Sequence, residues 1–389
     1  MLNNLRSRNI LITGGAGFIG SKLTRALLAQ GVNIRILDNF SPQVHSTDGL
    51  PDDIASSVQL FKADIRDKVG LKAALTGVDS VIHLAAETGT GQSMYEIEHY
   101  FDVNVQGTAL LIDLLQNDSC GKDVKNLVIA SSRAVYGEGA YRCLVHGELF
   151  PSDRDAFLLE KGKFDPVCPH CQQNLEMAAT KETAPFRPLS YYGLTKQIQE
   201  QAILMFGRSK SINAFALRYQ NVYGPGQSLK NPYTGILAVF SNLARQDQDI
   251  EIYEDGKESR DFVYIDDVVD ATVDCLKYDG SYVGPLNVGS GQSVSVLDVA
   301  YAIKKYFNSQ SKIVITGEYR VGDIRHNVAD IVEVNRLLGF KAKTQFASGL
   351  QLFLDWAQSQ EVQSDAGYRM SAERLRSAGL MRTSKAGNN

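Results

Sequence analysis

No apolar run in this chain approaches the roughly 20 residues that a helix needs to cross a bilayer, so no membrane partner is expected. The N-terminus, MLNNLRSRNILITGG, lacks the series of basic region, apolar stretch and cleavage site, so no secretory signal is expected and the expected compartment is the cytoplasm. Cysteine is scarce: 5 in 389 residues do not make a disulfide framework, and in a reducing compartment they stay as thiols. Positive charge is not in excess either. Lys and Arg number 40 against 44 Asp and Glu, a net charge of −4, and a nucleic-acid partner, which asks for a basic face, is not expected. There is no internal repeat. What remains, 44% hydrophobic and 22% charged residues, is an ordinary globular balance with length enough for two domains or one domain with a lobe.

Short β-branched runs alternate with amphipathic segments through the first half: NILIT, NIRILD, VQLFKAD, SVIHLAA, NLVIASS and AFALRY, with helical patterns near 17–30, 67–76, 104–117 and 192–208 between them. This alternation predicts an α/β fold, a parallel sheet with helices on both faces, and strands apolar at nearly every position fit burial on both sides. The expected division is a first domain over 1–220, to which 262–290 returns, and a smaller lobe over 221–261 and 291–358. Residues 359–389 are polar and read as a frayed tail. Between 138 and 187 the rhythm stops in charged turns, Pro and a Cys-x-x-Cys pair, which marks an insertion.

TGGAGFIG places Gly14, Gly17 and Gly20 directly after a strand and at the opening of a helix. Glycine allows the tight turn and the close approach of a pyrophosphate, and the free N–H groups of the helix start favour the anion. Asp38 ends the next strand, 18 residues past Gly20. A carboxylate there accepts both ribose hydroxyls and repels a 2′-phosphate, so the expected cofactor is NAD rather than NADP. Asp64 and Ile65 end the third strand, where an adenine could rest.

SYYGLTK puts Tyr192 and Lys196 on one face of a predicted helix. An ammonium beside a phenol lowers its pKa, and a tyrosine so perturbed can act as a base near neutral pH. Ser132 ends a strand at the carboxyl edge of the sheet and could share the proton. Alone, Tyr-x-x-x-Lys reads as a solvated helix face; with Ser132 and the glycine loop ahead of it in that order, it reads as a catalytic set.

The ordered series TGGAGFIG, HLAA, SSRAVYG, Tyr192-x-x-x-Lys196, LRYQNVYGPG and SRDFVYIDDV resembles the extended short-chain dehydrogenase/reductase family, and within it the NAD-dependent nucleotide-sugar epimerases and dehydratases, over about residues 8–358. The resemblance implies a Rossmann-type doubly wound parallel sheet with a smaller C-terminal α/β substrate lobe, and a homodimer through helices near 104–118 and 192–208. It implies an NAD site that also takes in Phe18, Ile19, Asn39, Leu84, Ala85, Ala86 and Asn104, with Asn221 facing a diphosphate that Arg260 and Arg320 clamp. Asn231 and Tyr233 would border the base or ribose, and Gln92, Ser93 and Tyr95 would touch the sugar. His83 is expected to pack and hydrogen-bond beneath the cofactor. Gln220 stands where many relatives have an aromatic residue.

Dehydratases of the family carry an Asp-Glu pair just after the residue at the Ser132 position, and decarboxylating relatives carry a Glu there; this chain has Arg133 and Ala134. The missing acid favours a 4-epimerase, which returns the hydride to the other face of a keto sugar. GQSMYEIEHY, VYGPGQSLKNPYTGILAVF, RDFVYIDDV and YRVGDIRH, with the cysteine-bearing insertion, are similar to the dTDP-L-rhamnose 4-epimerase subgroup. A dehydratase or reductase on a related nucleotide sugar is the alternative, and a non-catalytic NAD or nucleotide-sugar sensor is the alternative of another class.

Inside the insertion stand Cys143, His146, Cys168 and Cys171, spaced C-x2-H, 21 residues, C-x2-C. Two close pairs of such ligands suit a closed tetrahedral zinc site, and a metal would stabilise a segment this poor in apolar periodicity. His170 could stand in for His146, at the cost of a strained chelate with its cysteine neighbours. Free thiols and a thiol redox pair are the alternatives, the latter disfavoured because no strand precedes VCPHC. Cys120 and Cys275 are expected to be bystanders.

Overall fold

The structure is a computed structural model and describes residues 5–385 apart from 46, 232, 234, 364 and 365. Seven parallel strands form the large sheet, in the order Val283–Val288, Asn213–Tyr219, Asn126–Ser132, Ser80–His83, Asn9–Thr13, Asn33–Asp38 and Val58–Lys62. The alternation of side chains along each strand feeds two cores. Ile10, Ile12 and Val128 enter the core beneath Phe18–Leu28 and Ile265–Lys277, and Leu11, Leu127 and Ile129 enter the one beneath Lys68–Leu75, Gly107–Asn117 and Tyr191–Lys210. Both faces are therefore dry, which is why the strands read as continuous apolar runs. The expected α/β doubly wound fold is what forms.

The helix Tyr191–Lys210 begins where Ser190 accepts the Gly193 N–H at 3.1 Å and ends at Ser211 in the left-handed conformation (φ 56°). The segment Ile97–Asn117 is one helical run with a π-type stretch, Phe101–Gln106, in its middle. Such a stretch re-aims side chains without ending a helix, and here it carries Asn104.

After Tyr219 the chain leaves the sheet. Asn221–Tyr223 pairs parallel with Ser259–Tyr264, which pairs antiparallel with Ser293–Ser295. The helix Ile265–Lys277 and the strand Val283–Val288 rejoin the large sheet, so of the stretch 262–290 the first three residues stay with the small sheet. The insertion forms a three-stranded scrap, Gly147–Leu149, Tyr141–Cys143 and Glu176–Met177, all antiparallel.

The frayed tail does not hold. Ala366–Ser377 is a helix, and Met381–Thr383 pairs antiparallel with Glu318–Arg320. Arg376 forks onto Glu318 at 2.8 and 2.7 Å, and Ala372, Leu375 and Met381 are buried together. The reason is visible in retrospect: Tyr368, Ser371, Ala372 and Leu375 follow the i, i+3, i+4, i+7 spacing of a helix face. The stripe is only mildly apolar, and its partner strand lies some sixty residues away.

Candidate active site

The glycine turn is shaped by close approach. Gly14 adopts φ +69°, and a Cβ there would sit 2.7 Å from the Ala85 backbone nitrogen; one on Gly20 would sit 2.5 Å from the Gly14 carbonyl. Strand, turn and helix can meet this closely only without side chains. Gly17 precedes the helix in extended conformation and brings no capping side chain, so the first N–H groups stay open for an anion.

A groove runs from this turn along the carboxyl edge of the sheet. Gly14, Gly17, Phe18, Ile19, Gly20, Asp38, Asn39, Asp64, Ile65, Leu84, Ala85 and Ala86 line it, with Lys196 at the far end. Asp38 is held ready: its carboxylate accepts from the backbone N–H groups of Ala16 (3.0 Å) and Phe40 (2.9 Å), with His45 Nε2 at 3.4 Å. Asp64 borders the groove with its carboxylate committed to Arg66 and to Asn39 Nδ2, and the Arg66 bonds hold it down at about 2. Asn104 does not reach the groove. It clamps Glu87, through both main-chain groups, to Thr195 Oγ1, at 2.7, 3.1 and 3.0 Å, and so fixes the loop after Ala86 against the Tyr192 helix.

A second cavity opens behind the far end, and four residues belong to both walls: Ser132, Tyr192, Gln220 and Tyr233. Ser132 Oγ accepts the Ala134 N–H at 3.2 Å and stands beside Tyr192 on the shared wall. Burial pushes the Tyr192 hydroxyl above its ordinary value, opposed by Ser132 and by the charge of Arg133. Lys196 stands one helical turn past Tyr192 at the end of the groove. Its ammonium donates to the Ala130 carbonyl at 2.9 Å, and burial brings it down to about 7. The charge of Arg133 also favours the Tyr192 phenolate. His83 lies fully buried between Thr13 Oγ1 (2.7 Å) and Thr108 Oγ1 (3.0 Å), and burial drives it to about 3, so it is a neutral support.

In the second cavity three arginines surround one aspartate: burial and the neighbouring Arg260 lower Arg133 to about 10, and Arg260, Arg320 and Arg133 together hold Asp323 at about 2. Arg260 is largely spent, on Asp323 (3.1 Å) and the carbonyls of Ser259, Ile324 and Arg325. Arg320 lies 4.8 Å over the Tyr253 ring and has a buried Nε without a partner. The Gln220 and Asn221 side-chain oxygens are also buried and unpartnered on this wall. Orphaned buried polar atoms carry a cost of roughly 1–3 kcal/mol each unless a ligand meets them. On the opposite wall Glu254 is paired with Arg154 and Arg325, and burial raises Glu258 to about 7. The cavity therefore offers guanidinium charge and amide oxygens to a polar, anionic molecule whose reacting end meets Ser132 and Tyr192.

Gln92 and Ser93 line neither space. Gln92 is tied to Gln43, Glu96 and Tyr100, and Ser93 donates to the Thr90 carbonyl at 2.7 Å; the backbone of Gly89–Gly91 reaches the wall in their place. Tyr95 spends its hydroxyl on Tyr233 at 2.6 Å, and Asn231 borders the groove rather than the cavity. The sequence reading missed Tyr368, Ser371, Ala372, Leu375 and Met381, which close the cavity from the C-terminal helix and strand, and it missed Trp356 on the groove. Cys143, His146, Cys168 and Cys171 do come together, their ligand atoms all within 4.8 Å of one another; Cys120 and Cys275 are buried elsewhere.

Known proteins carry the same architecture. A relative named dTDP-L-rhamnose 4-epimerase from Burkholderia thailandensis is 38% identical over 351 residues, 90% of this chain and 94% of that one. The Thermus thermophilus UDP-glucose 4-epimerase solved with NAD superposes with a TM-score of 0.70 at 26% identity, covering 91% of this chain and all of its own (100%). A UDP-N-acetylglucosamine 4-epimerase from Methanobrevibacter ruminantium, solved with UDP-N-acetylmuramic acid, gives 0.73 at 27% identity over 92% of this chain and 100% of its own. The family model described as the NAD dependent epimerase/dehydratase family matches residues 10–155 and 165–289, and with the glycine turn, the Ser132–Tyr192 pair and the two-walled site in place, this chain belongs to that family.

Proposed function

We propose that the protein is an NAD-dependent nucleotide-sugar 4-epimerase acting on dTDP-L-rhamnose or a related dTDP- or UDP-hexose. One observation carries the reading: Ser132 and Tyr192 stand on the wall shared by groove and cavity, and the next two positions hold Arg133 and Ala134 instead of an acid pair. The 38% identity to a dTDP-L-rhamnose 4-epimerase favours that sugar. In this reading the groove takes NAD, with Asp38 on the adenosine ribose and Lys196 at the nicotinamide end. When bound, NAD would supply the hydride acceptor and donor, and its positive ring would favour the phenolate. The chain's own part is to move one proton: Tyr192 takes it from the 4-hydroxyl, with Ser132 in between, and gives it back after the keto sugar has turned over. Arg320 and Asn221 hold the diphosphate end. Arg260 positions Asp323 and the arginines around it.

Incubation with dTDP-L-rhamnose tests this. The expected result is a mixture of the two C4 epimers, approached from either side, without net consumption of NAD. Loss of water, or a stoichiometric demand for reduced cofactor, selects the dehydratase or reductase reading, and no turnover of dTDP- or UDP-hexoses selects the sensor.

The reading extends to the C-terminal helix. Removing residues 364–389 takes away Tyr368, Leu375 and the strand that holds Arg320. Loss of two or three contacts of about 1 kcal/mol each raises KM for the nucleotide sugar by roughly 30- to 150-fold, while bound NAD is retained. Steady-state kinetics with cofactor content measured alongside checks it. We further place the protein in the cytoplasm as a homodimer through the helices at 104–118 and 192–208, where Met205 is 65% exposed.

A further inference from the structure

We propose that Cys143, His146, Cys168 and Cys171 hold one zinc ion in a closed tetrahedral site, and that this ion folds the insertion bracing the wall of the second cavity. The claim is independent of the epimerase reading.

The geometry is that of a preformed ligand set. Cys143 Sγ lies 3.5 Å from His146 Nδ1 and 3.6 Å from Cys171 Sγ, and Cys168 Sγ lies 3.4 Å from the same Nδ1. A tetrahedron with zinc–sulfur bonds near 2.3 Å and a zinc–nitrogen bond near 2.0 Å has edges of about 3.8 Å between sulfurs and about 3.6 Å between sulfur and nitrogen. These three edges fall within a few tenths of the ideal and the other three are within 4.8 Å, whereas the sulfurs of a disulfide would stand about 2.05 Å apart. His170 is outside the set: its ring lies 4.9 Å from that of His146, on the exposed side.

The local backbone is arranged for thiolates. Backbone N–H groups stand beside two of the sulfurs, those of Val145 and His146 by Cys143 and that of Gln173 by Cys171. A sulfur that keeps its negative charge in a protein needs such donors, as ligands of a metal do. Each half turns back through a left-handed residue just past its second ligand, Gly147 (φ 75°) and Gln172 (φ 60°).

Packing says the same by default. The buried residues at this end of the insertion are Tyr141, Cys143, Cys168 and Leu175, so half of its small core is cysteine. Leu144 and Val145 are left 78% and 68% exposed, while Cys143 and His146 turn towards the other two ligands. Hydrophobic collapse alone would have chosen the opposite orientation. A core this small does not order thirty residues without a further source of binding energy, and a metal bound only in the folded state supplies it. Binding releases the three thiol protons, and four protein ligands leave the ion no open position for catalysis.

What the clip secures lies on the inner side. Tyr141 donates to Glu138 at 3.0 Å, and Glu138 pairs with Arg154 at 3.1 Å and accepts the Arg325 N–H at 3.0 Å. Arg154, from the insertion, pairs at 2.7 Å with Glu254, which lines the second cavity. The outer end is held by the ligands and the inner end by buried charge.

Metal analysis of the full-length protein, purified without added chelator, is expected to give about one zinc per chain, against less than about 0.2 in Cys168→Ser/Cys171→Ser. Stripping the metal with a thiol-directed mercurial and a chelator should speed proteolytic cleavage within 144–177 by at least about 10-fold, with the parent rate restored by zinc. A folded chain without stoichiometric zinc, or a double-serine variant carrying as much as the parent, overturns the proposal. Should that variant not fold, His146→Cys keeps four ligands and must retain the metal. Cobalt(II) exchanged into the parent must then show the intense absorption of a tetrahedral thiolate site; a weak octahedral spectrum overturns it.

Discussion

Tyr192→Phe is expected to lower kcat for sugar turnover by about 10³-fold with KM changed by less than about threefold, because a positioned general base contributes roughly 10²- to 10⁴-fold. The substitution removes one oxygen and keeps the ring, which packs edge-on against Tyr100 with centroids 6.5 Å apart. Binding of the diphosphate rests on the other end of the cavity and is left alone. The fold should not suffer. Burial keeps the phenol neutral, so deleting the hydroxyl removes no buried charge and leaves the ring packing in place. Ser132→Ala is expected to cost less, about 10- to 10²-fold, since water or the sugar hydroxyl itself can bridge to Tyr192. Steady-state kinetics, with thermal melts as control, separate these outcomes. A Tyr192→Phe variant with more than about a tenth of the parent kcat would remove Tyr192 from the mechanism.

Arg218→Ala is expected to destabilise the protein by about 3–5 kcal/mol, the cost of leaving a buried charge without its partner. Arg218 and Glu200 are 2% and 1% exposed and meet through two bonds, 2.6 and 3.0 Å. Glu200 also accepts from Ser131 Oγ at 2.6 Å, and Arg218 donates to the Tyr136 hydroxyl at 2.8 Å. One ion pair thus joins the strand that ends in Ser132, the helix that carries Tyr192 and the neighbouring strand Asn213–Tyr219. Replacing both partners with apolar residues of similar size, Arg218→Met with Glu200→Leu, should recover most of the loss, because no charge then stays buried. Urea titrations give the comparison, and equal losses for single and double variants would refute the charge argument.

The parts of the site that could be read from the sequence are those whose meaning is local. The turn from Thr13 to Gly20 is a strand end, a close approach and a helix start within eight residues, and the fold follows from such units repeated. Ser132 and Tyr192 were legible because each ends or begins a regular element. The direction of Gln92 depends on Gln43 and Tyr100, which no spacing rule brings to it, and Ser93 turns back to the Thr90 carbonyl. Lys196 was placed well, but its charge depends on how deeply it is buried. The C-terminal helix escaped because its stripe mixes Tyr, Ser, Ala and Leu, and because its strand pairs with Glu318–Arg320 far up the chain. Local pattern carries little information about such distant pairings.

That late pairing also sets an order of assembly. Most of the groove lining and the Ser132–Tyr192 pair are encoded by residue 196, with Gln220, Asn231 and Trp356 following, yet the second cavity is walled only when Met381–Thr383 reaches Glu318–Arg320. At about 5–20 residues per second, synthesis reaches the last of these strands roughly ten to forty seconds after Lys196. A nascent chain therefore carries most of the groove for a period before the wall of the second cavity can close.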